Sequence, residues 1–322
     1  MSDWFKVDQI GNLQLEITDY CNAFCPQCER AQIHPKLLNN KMITLDTVKN
    51  IFDQAGWKAL HTILFCGNKD EPTMNPDLIP MIKYIRNKLP KVEIAVASNG
   101  GTRSVKWWQE IAQLGVCVKF GFDGLEDTNH IYRVGVKWNH AIRNMKAYID
   151  AGGRAEWQFI IFEHNKHQVE EARQMASDMG CARFLETISN RPASVKDDGT
   201  LIKIVETEAP KIKASKKVHC IARITDKPNM FNRDPGFGSI YINADGFLVP
   251  CCWMGTTHKM KQLHRSAIGI DSSSHSIYHN SIQDILDGEM FYHIYDSLNE
   301  MPVCVRMCGK KYTYQGVEQH DL

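Results

Sequence analysis

Short runs rich in Val, Ile, Phe and Leu alternate with stretches of helical periodicity from residue 13 to about residue 188. The strand candidates cover 13–18, 62–67, 92–97, 116–122, 156–162 and 183–188, each bounded by Gly, Asn or Asp. Between them, Leu45, Val48, Ile51, Phe52 and Ala55 form one apolar helical face, with Thr44 placed as its N-cap. Ala141, Ile142, Met145, Tyr148 and Ile149 form another that ends at Gly152-Gly153. Val169, Ala172, Met175, Ala176 and Met179 form a third, stopped by Gly180. Strand, helix, strand, six times over, predicts an α/β fold with a parallel sheet and helices outside it. Six units fall short of the eight that close a full barrel, so a partial (β/α)6 barrel is expected over residues 10–190. Ligands of such sheets bind at the C-terminal ends of the strands.

The pattern changes after Ile188. Residues 191–218 carry many Lys and Asp residues with Pro192 and Pro210, and read as a linker. A hairpin follows, with strands at 239–242 and 247–249 around Asn243-Ala244-Asp245-Gly246. A helical stretch near 282–298 completes a small C-terminal extension over 219–322.

Composition narrows the setting. The 322 residues are 43% hydrophobic and 23% charged, enough for an ordinary core without disulfide support. The formal net charge is +1, which argues against nucleic acid and against a membrane surface. Residues 1–9 are short and polar, unlike a signal peptide, and no stretch approaches the roughly 18 apolar residues of a membrane helix. A cytoplasmic protein is expected, and there eleven cysteines need a reason other than disulfides. Three lie within eight residues near the start and five between Cys220 and Cys308. Cys66, Cys117 and Cys181 stand alone, in or beside strands, and read as small buried apolar residues.

The first group follows the first strand directly. Leu15-Glu16-Ile17-Thr18-Asp19-Tyr20-Cys21-Asn22-Ala23-Phe24-Cys25-Pro26-Gln27-Cys28 contains C-x3-C-x2-C, a spacing at which three thiolates can each bind one iron of a cubane cluster. Three ligands leave the fourth iron open to a small molecule, as an open position does in a catalytic zinc site. A zinc knuckle is the alternative, with His34 as its candidate fourth ligand. This segment resembles the signature of the radical S-adenosylmethionine (SAM) superfamily. Other segments add to the likeness. Cys66-Gly67-Asn68-Lys69-Asp70-Glu71-Pro72 is similar to the family's GGEP-type motif, with Lys69-Asp70 where glycine is common. Ser98-Asn99-Gly100-Gly101 is similar to its TNG turn, and Asp123-Gly124-Leu125 ends the fourth strand as in many relatives, with Tyr132-Arg133 downstream. Gln27 stands where relatives often place an aromatic residue over the adenine.

The resemblance implies a 4Fe–4S cluster on Cys21, Cys25 and Cys28, with SAM chelated to the open iron. It implies reductive cleavage of SAM to a 5′-deoxyadenosyl radical that abstracts hydrogen from a substrate C–H bond. Asp70, Glu71, Ser98, Asn99 and Asp123 are then the candidate cofactor-binding residues, while no catalytic acid or base is identified. The second group resembles the SPASM/twitch extension of the same superfamily. Its five cysteines suit the shorter twitch form, with Cys220, Cys251, Cys304 and Cys308 holding one auxiliary 4Fe–4S cluster and Cys252 spare. The choice of Cys251 rests on its spacing from Gly246, and zinc with His219 is the alternative.

Relatives with such extensions oxidise alcohols or cross-link and otherwise modify peptides. A peptide or small-molecule substrate is therefore expected, together with an electron donor such as flavodoxin or ferredoxin. Peptide-modifying relatives often carry a leader-binding domain before the barrel, where this sequence has only residues 1–12. Two other readings stand beside this one: a non-catalytic iron–sulfur or zinc protein, and a nucleic-acid-modifying member of the superfamily.

Overall fold

Parallel pairing of chain neighbours builds the centre of the computed structural model, which describes residues 6–54, 56–189, 194–195, 199, 201–203, 220, 222, 237–308 and 317–321. Strands β1 (Ile10–Leu15), β2 (Thr62–Phe65), β3 (Glu93–Ser98), β4 (Cys117–Gly121), β5 (Arg154–Ile161) and β6 (Arg183–Ile188) lie side by side in order. The crossovers carry α1 (Leu45–Gln54), α2 (Leu78–Lys88), α3 (Val105–Ala112), α4 (Asn129–Tyr132), α5 (Trp138–Asp150) and α6 (Val169–Met179). Thr44 caps α1 as expected, its hydroxyl accepting the Thr47 amide at 3.2 Å. The sheet does not close, and the partial (β/α)6 barrel is what forms.

The first strand is displaced from its expected position. Ile10–Leu15 pairs with β2, whereas Glu16, Ile17 and Thr18 leave the ladder and bond instead to Ile242, Ile43 and Lys41. That early departure starts the cysteine loop.

The expected linker contains a two-stranded ribbon, β7 (Ser194–Val195) with β8 (Leu201–Ile202); most of its remainder lies outside the described residues. The hairpin that follows joins the barrel sheet itself. Strand β9 (Gly238–Ile242) pairs parallel with β1, and β10 (Leu248–Val249) returns antiparallel on β9. At the opposite edge β11 (Val317–Asp321) pairs antiparallel with β6. Both edges of the six-strand unit are thus covered, which removes exposed ladder groups.

Residues alternate between two unlike faces. Leu13, Ile63, Ile94, Val118 and Trp157 are buried beneath the helices. Between the sheet and α3 and α5 an aromatic cluster forms, with Phe120 5.2 Å from Trp108, 5.8 Å from Phe122 and 5.9 Å from Tyr148. Offset and edge-to-face contacts of this kind add to the burial of large apolar area. Phe120→Ala should therefore destabilise the protein by about 3–5 kcal/mol in denaturant unfolding, against about 1 kcal/mol for Phe120→Leu. Equal midpoints for the two variants would show that the cluster is not tightly packed.

The C-terminal part continues with α7 (Thr257–Ser266), α8 (Ile282–Leu286), α9 (Glu289–Asp296) and α10 (Pro302–Cys308). His275 is fully buried against the hairpin. Its Nδ1 lies 3.0 Å from the Leu248 carbonyl, its Nε2 lies 2.9 Å from His264 Nε2, and its ring stacks on Phe247 at 4.8 Å. Burial first, and then the neighbouring His264, lower its pKa to about 4. The unfolded imidazole takes up its proton near pH 6.5, whereas the folded one stays neutral down to about pH 4. Stability is then complete above about pH 6.5 and falls as the pH drops towards 4, by about 2 kcal/mol at pH 5. His275→Gln should flatten this slope in unfolding experiments at pH 7 and pH 5, and an unchanged slope would exclude His275 as its source.

Candidate active site

Glu16 organises the carboxyl ends of the strands. Its side chain is fully buried; Oε1 accepts the backbone amides of Asn68 at 2.6 Å and Lys69 at 2.7 Å, and Oε2 accepts that of Ala244 at 3.1 Å. One carboxylate thereby joins the loop after β1, the loop after β2 and the turn of the hairpin. Gly67 permits the approach, since a Cβ there would stand 2.2 Å from Glu16 Cγ. Burial raises the Glu16 pKa, against the opposing charge of Lys69. Lys69, only 3% exposed, reaches Asp245 in the hairpin turn at 3.0 Å, and Lys41 reaches the other oxygen at 2.7 Å. The Lys69 side chain ties the loop after β2 to the hairpin.

The three cysteines sit on the loop so anchored. Cys25 is buried, and Cys21 and Cys28 are partly buried against the core. Cys21 Sγ accepts the Ala23 amide at 3.4 Å and Asn99 Nδ2 at 3.8 Å. Burial pushes the Cys25 thiol up to about 12; Arg133 opposes the shift, and Cys28 and Asp123 add to it. Burial also raises Cys21, followed by Glu71 and then by Cys25 and Cys28. The thiols are thus near enough to act on one another, in surroundings where a thiolate needs a positive partner such as a metal. Among the described residues no three Cys, His, Asp or Glu side chains form a ready site for a single metal ion.

Two carboxylates brace this loop. Glu71 Oε1 accepts Ser98 Oγ at 2.7 Å and Thr73 Oγ1 at 2.6 Å, while Oε2 accepts the Asn99 amide at 2.7 Å. The Asn99 side chain in turn donates to Asn22 Oδ1 at 2.8 Å. The post-β2 and post-β3 turns and the cysteine loop are therefore one hydrogen-bonded unit. Asp70 Oδ1 accepts the Gly67 amide at 2.7 Å, whereas its buried Oδ2 makes no hydrogen bond of good geometry. Burial and then Glu16 raise the Asp70 pKa well above the usual carboxylate range. Such an oxygen suits a cationic ligand group.

Asp123 has a different surrounding. Its Oδ1 accepts the Ile160 amide at 2.6 Å and its Oδ2 accepts Arg133 Nε at 2.5 Å. Both oxygens are engaged, and the charge it exerts reaches the cysteine loop through Arg133. That guanidinium lies over Gly121, where a Cβ would meet it at 2.5 Å. Gln27 is buried and bonds Ser189 at 2.8 Å, so it joins the cysteine loop to the end of β6.

In the second cysteine group, burial, Cys252 and Cys220 raise the Cys251 thiol well above its usual value, and Cys304 also acts on it. Burial raises Cys304 to about 12, with Cys220 and Cys308 adding to the shift. Cys252 acts on Cys66 and Tyr241 as well as on Cys251, and its carbonyl accepts Asn68 Nδ2 at 2.8 Å. His219 lies outside the described residues.

Two of the lone cysteines need a correction. Cys181 is buried beside Met145, as an apolar residue would be. Cys66 instead lies among Asp70, Cys252 and Glu16, and Cys117 faces the barrel interior opposite Arg154 and near Glu156.

A family profile described as the radical SAM superfamily matches residues 15–176, which hold the cysteine loop and both braces. The chain belongs to the radical SAM superfamily. The GTP 3′,8-cyclase of Clostridium perfringens is 28% identical over 93 residues, which make up 29% of this chain and 28% of the cyclase. The chain thus matches little more than a quarter of that relative's length. Among solved structures, Streptococcus suis SuiB bound to S-adenosylmethionine superposes with a TM-score of 0.58 at 13% identity, covering 92% of this chain and 72% of SuiB. The enzyme anSMEcpe with bound AdoMet gives 0.52 at 11% identity, covering 88% of this chain and 82% of its own. At these identities the likeness is one of fold. Membership makes the chain an enzyme and implies a 4Fe–4S cluster with SAM. No helix among the described residues is long and apolar enough to cross a membrane.

Glu16, Lys69, Asp245 and Arg133 were not singled out as site residues by sequence. The available signal was Glu16 itself, a charge alternating with Leu13, Leu15 and Ile17 just before the cysteine loop. Contact between Lys69 and Asp245 across 176 residues should give Lys69→Met and Asp245→Asn a coupling of about 1–3 kcal/mol in a double-mutant unfolding cycle. Additivity within about 0.5 kcal/mol would mean that the two charges act independently.

Proposed function

We propose that Cys21, Cys25 and Cys28 hold the 4Fe–4S cluster and that SAM binds its open iron. The observation that carries this reading is the single hydrogen-bonded unit of Glu71, Ser98, Asn99 and Asn22, which ends on Cys21 Sγ. When bound, the cluster and SAM supply reductive cleavage of the sulfonium and a carbon radical that takes hydrogen from a substrate C–H bond. The chain's own residues hold and shield these groups. Asp70 and Glu71 receive the ammonium of SAM, Ser98 and Asn99 fix the turn beside it, and Asp123 positions Arg133 against the Cys25 side of the loop.

The influence of Cys220 and Cys304 on Cys251, and of Cys220 and Cys308 on Cys304, supports a second, fully ligated 4Fe–4S cluster in a twitch-type extension, with Cys251 taken over Cys252 on its spacing from Gly246. Full ligation leaves no iron for substrate and favours electron transfer, hence net oxidation or cross-linking of a peptide or small molecule. SuiB has been solved with its precursor peptide SuiA, which supports the peptide case by analogy of fold. The enzyme then works in the cytoplasm with a flavodoxin- or ferredoxin-type reductant.

Anaerobic reconstitution should load about eight irons per chain, and SAM with a strong reductant should yield 5′-deoxyadenosine. Replacing Cys21, Cys25 and Cys28 by Ala should abolish that product and leave about four irons. Normal 5′-deoxyadenosine from this triple variant would refute the assignment. Cys251→Ala should lose the second cluster and Cys252→Ala should retain it. Four irons, or zinc in place of iron, in fully loaded wild type would remove the auxiliary cluster.

A further inference from the structure

Residues 29–42 form a strap that begins on Cys28 and is tied back onto the residues just before Cys21. Two short 3-10 turns shape it, Glu29–Gln32 and Pro35–Leu37, and Cys28 is the N-cap residue of the first. The Asn39 amide donates to Asp19 Oδ2 at 3.0 Å, and the Asp19 amide donates to the Lys41 carbonyl at 3.1 Å. Arg30 donates to the Asp19 carbonyl and lies over the Tyr20 ring at 6.0 Å. The strap is thus fixed at both ends of the cysteine loop, beside Cys21 and at Cys28.

Its surface combines exposed apolar side chains with surplus positive charge. Leu37 is 45% exposed and Met42 39%. Arg30, Lys36 and Lys41 stand against one acid, Glu29, in a chain whose whole net charge is only +1. Lys36 is exposed, and Arg30 uses its Nη1 on the carbonyls of Asp19 and Lys69 rather than on a carboxylate. Lys41 shares Asp245 with Lys69, so two ammonium groups face one carboxylate there. The patch continues onto the C-terminal extension. Tyr278, 50% exposed, lies over Gly246, and the charges of Lys41 and Asp245 both act on it. Exposed His279 follows, with Asp271 near it as the acid on that side. Apolar spots ringed by charge of one sign mark a surface for a partner of the opposite sign.

We propose that this patch is the docking surface for the electron donor, an acidic one-electron carrier protein of the flavodoxin class. Lys36 and Arg30 meet carboxylates of the donor, while Leu37, Met42 and Tyr278 form the apolar centre of the contact. The inference rests on the reading of Cys21, Cys25 and Cys28 as ligands of the cluster that must be reduced before SAM is cleaved. The docked donor gives up one electron and is oxidised by one; the oxidised cluster gains it, and no bond or proton changes at the patch. Position favours this face. A donor on the strap sits over the chain that carries Cys28 and Cys21, whereas the amino ends of the strands lie a six-residue strand away, roughly 20 Å.

The test compares two reductants on the reconstituted full chain with SAM: dithionite, which needs no docking surface, and a purified, strongly acidic flavodoxin. Flavodoxin binding is measured by calorimetric titration on the same preparations. Lys36→Glu and Leu37→Asp should each weaken flavodoxin binding, and lower kcat/KM for flavodoxin-driven cleavage, by about 10-fold. Cleavage driven by dithionite should stay at the wild-type rate in both variants. Raising salt from about 50 to about 300 mM should slow the flavodoxin reaction and leave the dithionite reaction unchanged. Lys91→Glu, a reversal at an exposed lysine before the amino end of β3, should change neither. Flavodoxin dependence unaltered in both strap variants would overturn the proposal, as would a loss in Lys91→Glu as large as in Lys36→Glu. An equal loss with dithionite in both variants would also overturn it, as would a dimer of the chain that Leu37→Asp dissociates. Cleavage with dithionite but no flavodoxin binding overturns the docking surface alone. Flavodoxin binding that the strap variants weaken, with no cleavage by either reductant, supports the surface and instead fails the radical reading.

Discussion

A carboxylate with no access to water must find donors in the protein, and the site is built around the donors that Glu16 finds. They are backbone amides from two loops far apart in sequence, one after β2 and one in the β9–β10 turn. An amide that is a donor to a buried charge is fixed more firmly than one in an exposed turn. The position of the cysteine loop therefore depends on the hairpin, and the hairpin on the loop. Lys69 adds the countercharge that makes this burial tolerable, shared between Glu16 and Asp245.

The same economy recurs around Cys21 and Cys25. Glu71 satisfies itself with Ser98, Thr73 and the Asn99 amide, and Asp123 with Arg133 and the Ile160 amide. Each acid is a brace before it is a ligand-binding group. Such braces hold side chains on loops as rigidly as the strands beneath them, which is what a site needs if it is to orient a reactive cofactor. The contrast is Asp70, whose second oxygen makes no hydrogen bond of good geometry.

Below this polar layer the barrel is hollow and charged. Its outer face is packed with Trp157, Phe120 and Ile94 under the helices, so stability does not require the interior to be filled. That separation leaves the charged residues Lys119, Arg154 and Glu156 on the inner face, where they pair with one another.

Alternation of strand and helix, the stop at Gly180 and the C-x3-C-x2-C spacing are local properties, and each was legible in the sequence. The partial barrel and the family follow from them because backbone propensity and thiol spacing act over a few residues. The hairpin at 239–249 was legible too, yet its parallel pairing with β1 was not, since register between strands more than 200 residues apart is set by packing. Asp123 ended the fourth strand as expected, but only the fold turned its second oxygen to Arg133 rather than to open space. Lys69 looked like a departure from a glycine pattern until its ammonium met Asp245. Cys117 looked like filler until strand pairing set Arg154 opposite it on the inner face. The sequence by itself determined which elements form and which thiols cluster; tertiary structure decided where each buried charge finds its partner, because desolvation can be offset only by groups that folding brings together.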